Sequence, residues 1–173
     1  MKVLIVYASK TGSSKEAVEM LADKLKKNAE VSVFNINDDP PSPEGFDAVV
    51  IGGSIRMGKL NSKLKKYIKG NKNILAEKIS AVFICCGIAK DFEDYVTMQL
   101  PKNLNCTLGV HYFGGHLKPD RVHGLFDKIV VKTMRESILM QDPDTSDYYR
   151  HELPELMPDT IYALAERILK YNN

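Results

Sequence analysis

The chain has 173 residues, of which 44% are hydrophobic and 27% are charged, and its formal net charge is +2. This composition predicts one globular domain with a sizeable core, and so small a charge argues against a nucleic-acid partner. No apolar stretch reaches the roughly 18 residues of a membrane span, and no basic-then-apolar leader precedes the first strand. We therefore expect a soluble, cytoplasmic protein with at most peripheral membrane contact.

The predicted elements alternate between strand and helix. Residues 2–8 form an apolar, β-branched run typical of a strand buried on both faces, and a helical pattern follows over 14–27. Strands are predicted over 30–36 and 47–51. The remaining elements are a helix over 60–69, a strand over 79–86, a helix over 91–100, a strand over 106–113, a helix over 125–140, a loop over 141–148, and a final helix with Ile161, Leu164, Ala165 and Ile168 on one face.

This alternation predicts an α/β fold with a doubly wound, five-stranded parallel sheet in the order 2-1-3-4-5 and helices on both faces. We expect residues 1–173 to form a single domain of this kind. Ligands bind outside the carboxyl ends of the strands in such a sheet. The segments of interest are therefore 9–14, 52–58 and 87–91, which follow the first, third and fourth strands.

The segment after the first strand, residues 9–14, combines hydroxyl side chains with a glycine where a helix begins. A helix N-terminus presents unpaired N–H groups and the positive end of its dipole, so it favours a phosphate. Gly12 permits a positive φ and a close backbone approach. We expect a phosphate here; the alternative is an ordinary helix capped by a hydroxyl, with nothing bound.

Other classes of phosphate-binding protein require motifs that this chain lacks. It has no G-x-x-x-x-G-K-[ST] motif and no G-x-G-x-x-G motif after the first strand. The ends of the first and third strands also lack the acidic residues that metal-assisted phosphotransfer requires. A hydroxyl-rich loop without these features favours a permanently bound monophosphate, and FMN is the common cofactor that fits.

The loop resembles that of the flavodoxin family, which follows a T-x-T-G-[NS]-[ST] type of pattern; here it reads S-K-T-G-S-S. Within that superfamily, the chain is most similar to the menaquinone-dependent protoporphyrinogen dehydrogenase group. In that group a Gly or Ala, Ser-Ile-Arg, one residue and Gly recur, as they do within residues 46–66. The similarity continues in residues 126–134 and at Asp144-Thr145.

The resemblance implies an FMN-binding oxidoreductase that transfers electrons or hydride through flavin N5. Its most specific form is a protoporphyrinogen IX dehydrogenase with a quinone acceptor. The alternatives are a flavodoxin-type electron carrier without its own substrate, and a flavin-free interaction domain. The redox partner would be a small molecule or a protein, and a homodimer is left open.

The resemblance also implies which residues contact FMN. The phosphate contacts are Ser9, Lys10, Thr11, Gly12, Ser13 and Ser14. The contacts around the isoalloxazine are Ser54, Ile55, Arg56, Met57, Gly58, Cys86, Gly87, Ile88, Ala89 and Lys90.

The sequence does not assign a catalytic residue, and Arg56 and His116 are the candidates. A cation such as Arg56 beside the ring would stabilise the anionic reduced flavin; the alternative is a surface arginine. His116, after the fifth strand, could bind a carboxylate-bearing substrate or pass protons. The spacing of the four histidines is not that of a metal site. The chain also departs from its relatives, because it has no Trp and has Met57 where they have Tyr.

Two further features carry weaker signals. Cys85, Cys86 and Cys106 have no C-x-x-C spacing and are interpreted as reduced core residues, with a Cys85-Cys86 redox dithiol as the alternative. Residues 56–78 hold eight basic residues against one acid. This stretch is a solvated helix face or a surface for an anionic substrate, an acidic partner or lipid headgroups.

Overall fold

The computed structural model describes residues 1–10, 12–116, 128–129, 132–133, 136 and 155–171. Its strands are β1 (Lys2–Ala8), β2 (Glu30–Asn35), β3 (Ala48–Ser54), β4 (Ile79–Cys85) and β5 (Val110–Tyr112). The helices whose bounds are described are α1 (Ser13–Leu25), α2 (Ser62–Glu77), α3 (Phe92–Gln99) and α4 (Pro158–Lys170), with short 3-10 turns at Pro43–Gly45 and Ala89–Asp91. No helix within these ranges is both long and apolar enough to cross a bilayer.

The five strands form one parallel sheet in the order β2-β1-β3-β4-β5, which confirms the predicted fold. Strand β3 lies at the centre of the sheet. Its Gly53 is opposite Ala8 of β1 and Ile84 of β4, and Ser54 is opposite Cys85. The carboxyl ends of β1, β3 and β4 therefore meet at one edge of the sheet.

Alternating side chains of the sheet build one hydrophobic core on each face. Val3, Ile5 and Val50 point to the face covered by α1 and α4. Leu4 and Ile51 point to the opposite face, where α2 and α3 pack. This double burial is why β1 and β3 are continuous apolar runs. The four residues predicted for the inner face of the last helix are all buried there: Ile161, Leu164, Ala165 and Ile168.

Several element boundaries differ from prediction. Helix α2 continues through Gly70 to Glu77, because Leu75 on the same helix is buried in the core and extends the packed face. Strand β5 begins at Val110 rather than at 106, because Gly109 adopts a left-handed turn with φ 83° just before it. The N-cap of α1 is Gly12, without a side-chain cap hydrogen bond, so the hydroxyl cap of the alternative interpretation is wrong.

Some predictions concern residues outside the described ranges. These are the loop over 141–148, the motif at Asp144-Thr145, and most of the predicted helix over 125–140. Within that helix, residues 128–129, 132–133 and 136 are helical.

The backbones of β3 and β4 approach each other closely at Gly52. The ring of Phe83 on β4 lies over Gly52 of β3, so that a Cβ at position 52 would fall 2.3 Å from the Phe83 carbonyl oxygen and 2.4 Å from its Cγ. The same ring stacks on Phe113, with centroids 4.7 Å apart and planes 12° apart. Only glycine fits at position 52 without displacing this stack.

Candidate functional site

Three segments meet at the carboxyl edge of the sheet, after β1, β3 and β4. The N–H of Ile55 donates to the Cys85 carbonyl at 2.8 Å, which joins the segment after β3 to the end of β4. The N–H of Cys86 donates to the Gly114 carbonyl at 3.0 Å and adds the segment after β5. The structure thus brings together the segments that the strand order predicted.

The segment after β1 leads into the N-terminus of α1. Gly12 has φ 99°, and its N–H donates to Ser9 Oγ at 3.3 Å. The first intrahelical bond runs from Glu16 N–H to the Gly12 carbonyl at 2.9 Å. The preceding N–H groups, of Ser13 to Lys15, therefore point out of the helix end and can bind an anion. Thr11 lies outside the described residues.

Two serines of this loop turn inward. Ser14 is fully buried, and its hydroxyl has no nitrogen or oxygen partner among the described residues. Its polar neighbour is the Cys85 thiol, whose pKa burial raises to about 12 while the Ser14 hydroxyl opposes that rise. A buried hydroxyl without a strong partner costs about 1–3 kcal/mol. A phosphate oxygen would satisfy it, so the loop fits a phosphomonoester.

His116 contacts the same loop rather than the segment after β3. Its Nδ1 and Nε2 lie 3.4 and 3.3 Å from Ser13 Oγ, and Nε2 lies 3.5 Å from Glu16 Oε2. Only 4% of its side chain is exposed. Gly115 permits this placement, because a Cβ there would lie 3.1 Å from the Cys86 carbonyl group.

The segment after β3 forms a tight hairpin turn at residues 56–59. The Arg56 N–H donates to the Lys59 carbonyl at 2.9 Å, and the Lys59 N–H donates back at 3.0 Å. The two central residues both have positive φ, 48° at Met57 and 72° at Gly58, as a two-residue turn of type I′ requires. Left-handed backbone costs a residue such as methionine roughly 1–2 kcal/mol, yet the Met57 side chain is 64% exposed.

Gln99, at the end of α3, holds this hairpin, and the sequence reasoning missed it. Its Nε2 donates to the Gly58 carbonyl at 3.1 Å, and its Oε1 accepts from the Leu60 N–H at 3.2 Å and from Lys65 Nζ at 3.3 Å. Gly58 and Gln99 are 41 positions apart. No local pattern could have linked them.

The segment after β4 supplies the third wall. Cys86 is buried, and its thiol donates to the Ile88 carbonyl at 3.5 Å, while Ala89 and Lys90 are exposed. Burial raises the pKa of Cys86 to about 11 and that of Cys85 to about 12. Both groups therefore stay protonated near neutral pH, which favours the structural role over a redox dithiol.

A groove of about 650 Å³, which we call the lysine groove, opens beside the hairpin between α2 and the end of α3. Leu60, Met98, Leu100 and Pro101 form its apolar walls. Its basic residues are Lys59, Lys65, Lys66 and Lys69. The ion pairs between described residues involve none of these four lysines, and Lys65 Nζ donates to Gln99 Oε1. The described residues contain no cluster of metal-ligating side chains.

Fold and site together define a doubly wound α/β protein in which a loop leading into a helix N-terminus after β1 lies at the same sheet edge as the segments after β3 and β4. The family model described as "Flavodoxin domain" matches residues 4–146. The chain belongs to this family. This confirms the resemblance found in the sequence, the redox class of protein and FMN as the cofactor type.

Comparison with curated proteins finds protoporphyrinogen IX dehydrogenase [quinone] of Escherichia coli K12, 33% identical over 85 residues. The match covers 48% of this chain and 47% of that protein. The enzyme of the same name from E. coli O157:H7 matches equally. The chain thus spans about half the length of the curated relatives it matches.

Solved structures that resemble the fold include two flavodoxins. Oxidised flavodoxin 1 from Bacillus cereus has a TM-score of 0.47 and 18% identity, covering 82% of this chain and 100% of that one. Fusobacterium nucleatum flavodoxin bound to flavin mononucleotide has a TM-score of 0.49 and 14% identity, covering 98% of each chain.

Proposed function

We propose that this chain is an FMN-dependent oxidoreductase and, more specifically, a protoporphyrinogen IX dehydrogenase that uses a quinone as acceptor. The observation that carries the proposal is the meeting of a phosphate loop, a strained exposed hairpin and a third loop at one sheet edge. The match to the E. coli dehydrogenase supports the choice of substrate.

The loop after β1 would hold the FMN phosphate. The N–H groups at the start of α1 point outward, and the buried Ser14 hydroxyl supplies a further donor. Hydrogen bonds to a charged group contribute about 1.5–3 kcal/mol each. A few such bonds suffice to anchor a phosphomonoester.

The hairpin and the segment after β4 would enclose the flavin ring. Met57 offers an exposed thioether, which makes favourable contacts with aromatic rings. Arg56 stands at the base of the hairpin, where its positive charge favours a reduced, anionic ring. When bound, FMN supplies the electron- or hydride-accepting chemistry, and the protein supplies orientation and electrostatics.

The lysine groove would bind the substrate. A porphyrinogen is an apolar macrocycle that carries carboxylates, and the groove offers apolar walls next to lysines. Gln99 lies both in the groove and against the hairpin. A substrate in the groove would therefore lie next to the cofactor.

The test is anaerobic mixing of FMN-loaded protein with protoporphyrinogen IX, followed by a quinone. We expect the porphyrinogen to bleach the flavin absorption and the quinone to restore it. An oxidised flavin that porphyrinogen leaves unchanged refutes the dehydrogenase assignment. If the same protein exchanges electrons with a protein partner in two separate one-electron waves, it is instead an electron carrier. A chain that does not retain FMN refutes both.

A charge-matched pair of variants tests the groove. Changing Lys65, Lys66 and Lys69 to Gln should raise KM for porphyrinogen at least about tenfold and leave kcat nearly unchanged, because the lost charges act in binding. Lys24, Lys26 and Lys27 on the opposite face of the sheet provide the control, with the same change in net charge. Equal KM values for the two triple variants would contradict the placement of the substrate.

A further inference from the structure

We infer that His116 recognises the phosphate group of the cofactor and makes the site select FMN over unphosphorylated riboflavin. The inference rests on the proposed FMN binding and extends it to a residue that belongs to no phosphate-loop motif. His116 is 103 positions from Ser13.

The contacts place the imidazole within the phosphate loop. Both ring nitrogens lie within 3.4 Å of Ser13 Oγ, and the ring is almost completely buried. Next to Ser13 is the fully buried Ser14 hydroxyl, which has no nitrogen or oxygen partner in the described part of the chain. A buried ring and a buried hydroxyl at one anion-favouring helix end indicate a prepared anion site.

The backbone that leads to His116 is held by hydrogen bonds to other segments. Gly114 has φ 75°, and its carbonyl accepts from the Cys86 N–H. Gly114 also forms an antiparallel bridge with Leu156, next to α4. The backbone before His116 thus contacts two other segments, and Ser13 and Glu16 contact the ring itself. The loss of side-chain freedom on binding is therefore small.

The neighbouring charge explains why a histidine is useful here. Glu16 lies in the first turn of α1, where its carboxylate is favoured by the helix dipole but would repel a phosphate. His116 contacts Glu16 at 3.5 Å and Ser13 on the same side of the helix end. A histidine placed between them can contact the carboxylate through one ring nitrogen and the phosphate through the other. It thereby links two anions that would otherwise repel each other.

The experiment measures FMN and riboflavin affinity of the apoprotein by flavin fluorescence, for the native chain, His116→Leu and His116→Gln. We expect His116→Leu to weaken FMN binding about 10- to 100-fold, the equivalent of one charge-assisted hydrogen bond, and to leave riboflavin binding unchanged. His116→Gln, which keeps one donor group, should recover part of the loss. It also preserves the test if the leucine variant does not fold.

His111→Gln is the matched control, because His111 is also partly buried but bonds to the Leu108 carbonyl, away from the loop. It should not change the ratio of the two affinities. A second prediction uses Glu16→Gln: in that background, His116→Leu should cost less FMN affinity, because the repulsion is gone. Equal losses for FMN and riboflavin, or no loss, would overturn the assignment of His116. A native chain that binds neither flavin would instead refute the proposed function.

Discussion

Replacing Gly52 with alanine tests whether the close packing of Phe83 over β3 limits what the centre of the sheet can accept. The new Cβ would fall 2.3 Å from a backbone oxygen and 2.4 Å from two ring carbons of Phe83. Ordinary contact begins near 3.4 Å. The two strands or the ring must therefore shift by about 1 Å, and both are buried.

The expected cost follows from these contacts. Forcing an extra methyl group into a close-packed core costs about 1–3 kcal/mol, and moving the Phe83 ring disturbs a stack worth about 0.5–1.5 kcal/mol. Alanine also reduces the conformational entropy of the unfolded chain, which offsets about 0.4–1 kcal/mol of this cost. We expect Gly52→Ala to lower the free energy of unfolding by about 0.5–4 kcal/mol, with a middle value of about 2 kcal/mol, and Tm by roughly 2–15 °C.

Gly70→Ala is the matched control, since Gly70 lies exposed within α2 and a Cβ there meets nothing within 4 Å. It should raise the free energy of unfolding by about 0.5–1 kcal/mol, the usual gain in a helix interior. Urea unfolding followed by circular dichroism measures both. Surface substitutions change the free energy of unfolding by about 0.5 kcal/mol or less. A change of that size for Gly52→Ala, together with the expected gain for Gly70→Ala, would show that Phe83 does not limit what position 52 accepts.

Three further predictions concern titration and the hairpin. Burial raises the pKa of Cys85 from 9.0 to about 12 and that of Cys86 from 9.0 to about 11. Because the thiols of the unfolded chain ionise first, the free energy of unfolding should fall above pH 9 by about 1.4 kcal/mol per pH unit per thiol. Cys86→Ala should reduce this slope in urea titrations at a series of pH values. Burial lowers the pKa of His111, so the unfolded chain binds a proton there more readily than the folded chain. The free energy of unfolding should therefore fall as the pH drops below about 6.5. If His111→Gln loses as much stability as the native chain over that pH range, this prediction is contradicted. Gln99→Leu removes the acceptor of the Leu60 N–H. Hydrogen exchange of that amide, measured by NMR, should therefore accelerate about 2- to 10-fold. An unchanged rate would show that Gln99 does not hold the hairpin.

The sheet could be predicted because its residues carry the information locally. β1 matches its predicted bounds, since a strand buried on both faces must be apolar at every position. Strand order then followed from the alternation of elements. The errors arose where tertiary contacts override local signals. Gly70 is a helix breaker by propensity, yet Leu75 beyond it is buried against the sheet and prolongs α2.

The site was predictable only where it is local. Residues 9–14 and 54–58 are recognisable by the hydroxyls and glycines at strand ends, and Gly12 has the positive φ that was predicted for it. Gln99 and the loop contacts of His116 could not be found, because they reach these segments across 41 and 103 positions. The individual contacts between FMN and the residues named in the sequence analysis remain predictions.

The hydrogen bonds of Gln99 make the lysine groove and the hairpin one unit. Lys65 and the Leu60 N–H share its Oε1, while its Nε2 holds the Gly58 carbonyl. A carboxylate entering the groove competes with Oε1 for Lys65, because a charged acceptor binds an ammonium more strongly than an amide does. Once Lys65 is lost, the remaining partners of Gln99 among these three are backbone groups, the Leu60 N–H and the Gly58 carbonyl. In the proposed dehydrogenase, substrate charge would thus be sensed at the turn that faces the cofactor. A carrier that recognises only the surface of a protein partner has no need of this connection.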